Sequence, residues 1–268
     1  MSVPLAVVLP SAVALIAYAI AALIAGRPGS VVRVPLLVGW AAHAVAIACD
    51  AASVGMPEAG ARFGFAPALS VTLWLVLAVY MVESRFLPLV GVRRTLAVLG
   101  GLAVALALAF PGESRPQAGS IWAPLHWILG IASYGLFGAA VLHAAMLGRA
   151  DRQMRGLRPG AAAALGSGMP LMRLERLTFQ FVAAGFVVLT IALLLGAWFA
   201  TPWRWDHKTV FSLLGWCVFA GLLAGRRAFG WRGPQASRWL YAGVGLLLLA
   251  YVGSRFVMEV MLHRPLAG

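Results

Sequence analysis

The chain has 268 residues, 62% of them hydrophobic and 11% charged, and 21 Lys and Arg against 8 Asp and Glu give it a formal charge of +13. This composition excludes a soluble globular domain, because about 20 consecutive apolar residues span a bilayer as a helix and the chain supplies such runs repeatedly. The positive charge does not point to nucleic acid: the arginines sit in short loops between apolar runs, which is the positive-inside pattern.

Eight spans are expected, at 3–25, 34–55, 67–84, 94–110, 122–147, 174–199, 208–225 and 238–261, separated by Gly, Pro and Arg clusters. Long unbroken apolar runs predict helices rather than the short alternating strands of a barrel. The expected fold is therefore all-α, a polytopic helical bundle forming a single membrane domain over 1–268. The first span reads as a true span and not a signal peptide, because Met1–Ala25 has neither a basic opening nor a small-residue cleavage site.

The second span carries His43 mid-segment, with Trp40 one turn earlier and Asp50 seven residues later on the same helical face. A His–Asp pair there would orient the imidazole toward a metal or a proton path, and an interhelical hydrogen bond is the other reading. Cys49 and Cys217 lie inside apolar runs without a Cys-x-x-Cys, so they read as packing residues. The third and fourth spans are short.

The fifth span opens with His126 and continues through Ser133, Tyr134 and the glycines Gly130, Gly135 and Gly138, a pattern of close helix packing. His143 lies near its other end, about 25 Å from His126 at 1.5 Å per residue, so the two cannot share one metal ion. The loop at 148–172 is the longest. Its Arg-rich start and Gly/Ala-rich middle read as a flexible linker.

Residues 196–216 form a tryptophan-rich stretch containing Trp198, Trp203 and Trp205, followed by Asp206-His207-Lys208-Thr209. Asp206 is suited to capping the seventh span. In the eighth span Arg255, Glu259 and His263 recur every four residues on one stripe, as an intrahelical ion pair or as a site where Arg255 meets a carboxylate.

Lys and Arg in the loops divide fifteen against five, with Arg255 inside a span. This bias places both termini and the Trp-rich loop on the outer, periplasmic side. Three histidines, His126, His207 and His263, then converge on one membrane face beside the tryptophans. Bis-imidazole ligation with an aromatic wall suits haem iron, whereas zinc calls for additional Cys or carboxylate ligands at tighter spacing. An interfacial belt of His and Trp with no ligand is the alternative.

Three blocks carry a resemblance. They are Pro124-Leu125-His126-Trp127 through Ser133-Tyr134-Gly135-Leu136-Phe137; Gly196-Ala197-Trp198 through Trp203-x-Trp205-Asp206-x-Lys208; and Leu249-Ala250-Tyr251 through Leu262-His263, with Phe229-Gly230-Trp231-Arg232-Gly233 ahead of the last. Over roughly 120–264 the chain resembles the cytochrome c assembly family of the CcsA/CcmC type, in the eight-span inner-membrane branch that includes HemX-like and YpjD-like proteins.

The resemblance implies a haem b held at the periplasmic face with His126 and His263 as axial iron ligands. Trp203, Trp205 and Asp206 take the role of the haem-handling loop. His207, Arg255, Arg204 and His43 are further candidates around the haem. His207 stands where the family has proline, and Ala224 where it has a membrane histidine.

The implied function is haem handling in cytochrome c biogenesis at the inner membrane, without bond-making catalysis by this chain alone. The implied partners are haem, membrane lipid, other assembly proteins or apocytochrome, and not nucleic acid. The reading from another class is a haem-free membrane transporter or transporter-accessory protein.

Overall fold

The structure, a computed structural model, describes residues 3–55, 62–85, 92–114, 122–155, 171–199 and 205–261. Its helices are α1 (Leu5–Leu23), α2 (Gly29–Ala51), α3 (Phe65–Glu83), α4 (Arg93–Ala109), α5 (Trp122–Arg155), α6 (Leu171–Phe199), α7 (His207–Phe229) and α8 (Gly233–Met261). All but α4 are long and apolar enough to cross a membrane. α4 has 17 residues, about 25 Å of helix.

The all-α class and the eight segments agree with the sequence reading, and the differences lie at helix ends. α2 begins at Gly29 and runs through Pro35, because a membrane helix tolerates the lost hydrogen bond where neighbouring groups re-satisfy the freed carbonyl. It stops at Ala51 and not at 55, since Ser53 (φ 55°) and Gly55 (φ 76°) take left-handed backbone that no helix continues through. α5 has 34 residues, about 51 Å of helix. Its last two turns carry Arg149 and Arg152 and occupy the beginning of the expected 148–172 linker. The stretch 156–170 lies outside the described residues. α8 is broken by two π-helical turns, Leu249–Gly253 and Val257–Met261.

The chain clusters into two compact units, Met1–Leu125 with Tyr251–Gly268, and His126–Ala250. In the first, Tyr18 is fully buried between α2 and α4, where only glycine leaves room. A Cβ on Gly39 would stand 2.8 Å, and one on Gly100 3.0 Å, from the Tyr18 ring. Trp40 of α2 and Trp74 of α3 stack with centroids 5.0 Å apart. Each indole N–H donates to the other's backbone carbonyl, at 3.2 and 3.1 Å. A two-residue antiparallel ladder, β1 (Arg62–Phe63) and β2 (Glu113–Ser114), ties the entry to α3 to the exit of α4.

The second unit is built around Phe137 of α5 stacked on Phe219 of α7, with centroids 3.9 Å apart. Gly185 gives room to the Phe137 ring, and Gly243 to the Phe219 ring. The expected close-packing glycine Gly130 faces open space instead. The Tyr134 hydroxyl donates to the Leu247 carbonyl. Small residues serve here as sockets for aromatic rings, which suits a membrane protein whose helices associate by packing.

Candidate functional site

His126 lies in the second turn of α5, half-buried against the last turns of α6. Its Nδ1 is 2.8 Å from the Ala192 carbonyl oxygen. A carbonyl only accepts, so Nδ1 carries the proton and donates. The neutral ring then presents Nε2 as its acceptor nitrogen, which is how a metal-ligating imidazole is oriented by its second nitrogen. The ring rests on Gly196, where a Cβ would stand 2.8 Å from Cε1. Lys208, in the first turn of α7, is near enough for its charge to bear on the imidazole. The structure therefore brings the start of α5 beside the end of α6, with the start of α7 within electrostatic reach. The signal for Gly196 was present in the Gly-Ala-Trp triplet, but its purpose was not.

Trp198 is 84% and Trp205 71% exposed, so two indoles of the Trp-rich stretch present broad faces outward. Trp203 and Arg204 lie outside the described residues. Asp206 is the N-cap of α7, with its carboxylate accepting from the Thr209 backbone N–H at 2.7 Å. Burial raises its pKa, but the Thr209 hydrogen bonds and the nearby charges of Lys208 and His207 outweigh this and hold it below the usual carboxylate range. His207 is the first residue of α7 and is exposed.

Asp206→Ala is expected to cost about 0.5–2 kcal/mol, the usual worth of a cap. A depressed folded-state pKa means the stabilisation is complete above the unfolded value of about 3.9 and fades as pH falls through the lower folded one. Melting curves of wild type and variant should thus differ at neutral pH and converge in acid. A gap that persists unchanged at the acid end would refute a charge-dependent cap.

His263 lies outside the described residues. Arg255 stands on α8 with its guanidinium carbon 5.7 Å from the Tyr251 ring centroid. Its Nη1 is buried with no hydrogen-bond partner among the described residues, so it offers a donor suited to a carboxylate. The expected four-residue stripe of Arg255, Glu259 and His263 assumes an α period. The π turn at Val257–Met261 hydrogen-bonds residues five apart instead, so that stripe does not continue through it. The Glu259 carboxylate lies against Gly64, where a Cβ would stand 3.1 Å from Oε2 and 2.9 Å from the Gly112 Cα. Phe65 meets Phe110 and Phe256 at 5.2 and 5.3 Å.

His43 is part of a different arrangement. It is 1% exposed, with Nδ1 3.2 Å from the Tyr18 hydroxyl and Nε2 2.7 Å from the Ser70 hydroxyl. A neutral imidazole has one donor and one acceptor, so both nitrogens are used in linking α1, α2 and α3. The interhelical hydrogen bond, and not the His–Asp pair, is what the structure contains. Asp50 instead faces Arg62 at 3.7 Å. His143, fully buried, donates from Nδ1 to the Ala139 carbonyl at 2.8 Å and stacks on Phe181. The His43 bonds and the His143–Phe181 stack were not legible without knowing which helices are neighbours.

The model of the family described as Cytochrome C assembly protein matches residues 61–262. Among curated relatives, the cytochrome c biogenesis protein CcsA of Thermosynechococcus vestitus is 27% identical over 62% of this chain and 66% of its own length. The inner membrane protein YpjD of Escherichia coli K12 is 33% identical over 51% and 52%. The CcsA of a Synechococcus strain is 33% identical over 34% and 29%. The chain thus spans between 29% and 66% of the length of these relatives. No solved structure matches it. The match begins well ahead of the three sequence blocks and takes in α3 and α4.

Proposed function

This chain belongs to the cytochrome c assembly protein family, and on that premise we propose that it handles haem for cytochrome c biogenesis. It is a multi-pass inner membrane protein. The observation that carries the proposal is the state of His126: protonated on Nδ1 toward Ala192, seated on Gly196, with Nε2 as its acceptor. A haem b would supply an iron that imidazole nitrogens can ligate. His126 provides one, and His263, by the sequence resemblance, the other. By the sequence resemblance, Trp203 and Trp205 would pack on the macrocycle and Arg255 or Arg204 would meet the propionates, while Asp206 caps α7. We leave His43 out of the proposed ligand set, since both its nitrogens are used in linking α2 to α1 and α3. Covalent attachment to cysteines belongs to the apocytochrome and the partner proteins, not to this chain.

Visible absorption of the purified protein, oxidised and reduced, tests the reading. A sharp reduced α-band is expected, and its absence after haem supplementation would overturn the proposal. Gly196→Ala adds a narrower test. The new methyl collides with the imidazole, while α6 gains about 1 kcal/mol of helix propensity. Haem occupancy should fall several-fold with the melting temperature held or raised. Undiminished occupancy would remove Gly196 as the seat of His126.

A further inference from the structure

At the end of the second unit opposite the His126 ring, α6, α7 and the turn before α8 border an open cavity of about 630 Å³, within the range of small-molecule sites. Arg173, Arg176, Arg226 and Arg232 line it, with Glu175 as the one acidic group. Glu175 accepts from Arg226 at 2.5 Å and lies 3.8 Å from Arg232. Arg226 is fixed further: its guanidinium lies 3.8 Å over the Phe179 ring and donates to the Trp231 carbonyl. One wall is thus rigid. On the other, Arg173 and Arg176 are exposed, three residues apart on one face of α6. Four guanidinium groups against one carboxylate leave the cavity three charges positive. Met172, in its lining, is 73% exposed, and Phe229, three residues beyond Arg226 on α7, is 78% exposed, while Trp231 and Trp239 pack together at 5.0 Å against the core of the unit.

We infer that this cavity binds the phosphate headgroup of an anionic glycerophospholipid of the cytoplasmic leaflet. Guanidinium groups match phosphate in geometry and charge, and basic pockets between helices on the cytoplasmic side suit anionic headgroups. The charge bias of the loops places this end of α6 and α7 on that side. The apolar rim of Met172 and Phe229 gives the acyl chains a surface that a soluble anion would not use. The site is separate from the haem reading and stands without it.

The test titrates the full-length protein in detergent with phosphatidylglycerol, phosphatidylcholine and glycerol 3-phosphate, read by retained lipid in native mass spectrometry and by melting temperature. Phosphatidylglycerol is expected to be retained over phosphatidylcholine. Arg173→Gln with Arg176→Gln should weaken retention roughly thirtyfold, at about one unit of electrostatic attraction per arginine. Arg27→Gln with Arg93→Gln, an equal loss of charge elsewhere, should leave it unchanged. Equal retention of the two lipids would overturn the site, as would equal losses in the two double variants. Competition by glycerol 3-phosphate at matched concentration would assign the cavity to a soluble phosphate and overturn the lipid inference.

Discussion

Replacing His126 and His263 together with alanine is expected to abolish the reduced α-band of the haem-loaded protein while leaving the helical fold in place. The fold should survive because His126 sits near the start of α5 and the bond from its Nδ1 to a backbone carbonyl is worth about 0.5–1.5 kcal/mol net. The ligand function should not survive, since nothing else in that turn donates a nitrogen to iron. His126→Ala alone should convert a bis-imidazole spectrum to that of five-coordinate or weakly ligated haem. His43→Leu serves as the control. It leaves the Tyr18 and Ser70 hydroxyls without their buried partner, at about 1–3 kcal/mol, so the melting temperature should drop while the spectrum stays. Haem retained with an unchanged band in the double variant would discard these ligands and turn attention to His207, exposed at the start of α7. A wild type that binds no haem would favour the transporter or transporter-accessory reading.

The largest loss of stability is expected from Phe219→Ala. Its ring is fully buried and stacked on Phe137, and Gly243 is shaped to it so closely that a Cβ there would come within 2.7 Å. Lipid tails are as apolar as the core, so what is lost is packing rather than transfer from water. Phe-to-Ala changes in close-packed sites cost about 3–5 kcal/mol, and α5, α7 and α8 all meet at this ring, so little collapse can fill the space. Phe229→Ala, at a position 78% exposed, should change stability by less than about 0.5 kcal/mol. Unfolding by denaturing detergent, followed by circular dichroism, measures both. Comparable losses for the two phenylalanines would mean that the Phe137–Phe219 stack is not the centre of the unit.

Much of the architecture was legible in the chain. Apolar runs mark the eight described helices, seven of them of spanning length, because a bilayer leaves the backbone no other partner than itself. The charge of Asp206 and its place before an apolar run announce a cap, since the orphan N–H groups of a helix start are local. His126 announces itself as an ionisable group at a span end beside tryptophans.

What was not legible depends on residues distant in sequence. The periodicity of α2 says which face His43 occupies but not that Tyr18 and Ser70 lie across from it, so Asp50, on its own helix, looked like the partner. The Trp40–Trp74 clasp and the sockets formed by Gly39, Gly185 and Gly243 appear only when helices are packed, because a glycine in a sequence does not reveal which ring it makes room for. The length of α5 escaped because arginines that look like a loop are equally at home on a helix projecting beyond the hydrocarbon. The sequence by itself determined the membrane class, the spans and the family. The tertiary structure alone decided that Ala192 sets the proton of His126, that Gly196 seats its ring, and that four arginines from α6, α7 and the turn before α8 face one cavity, since each of these joins groups whose proximity only helix packing creates.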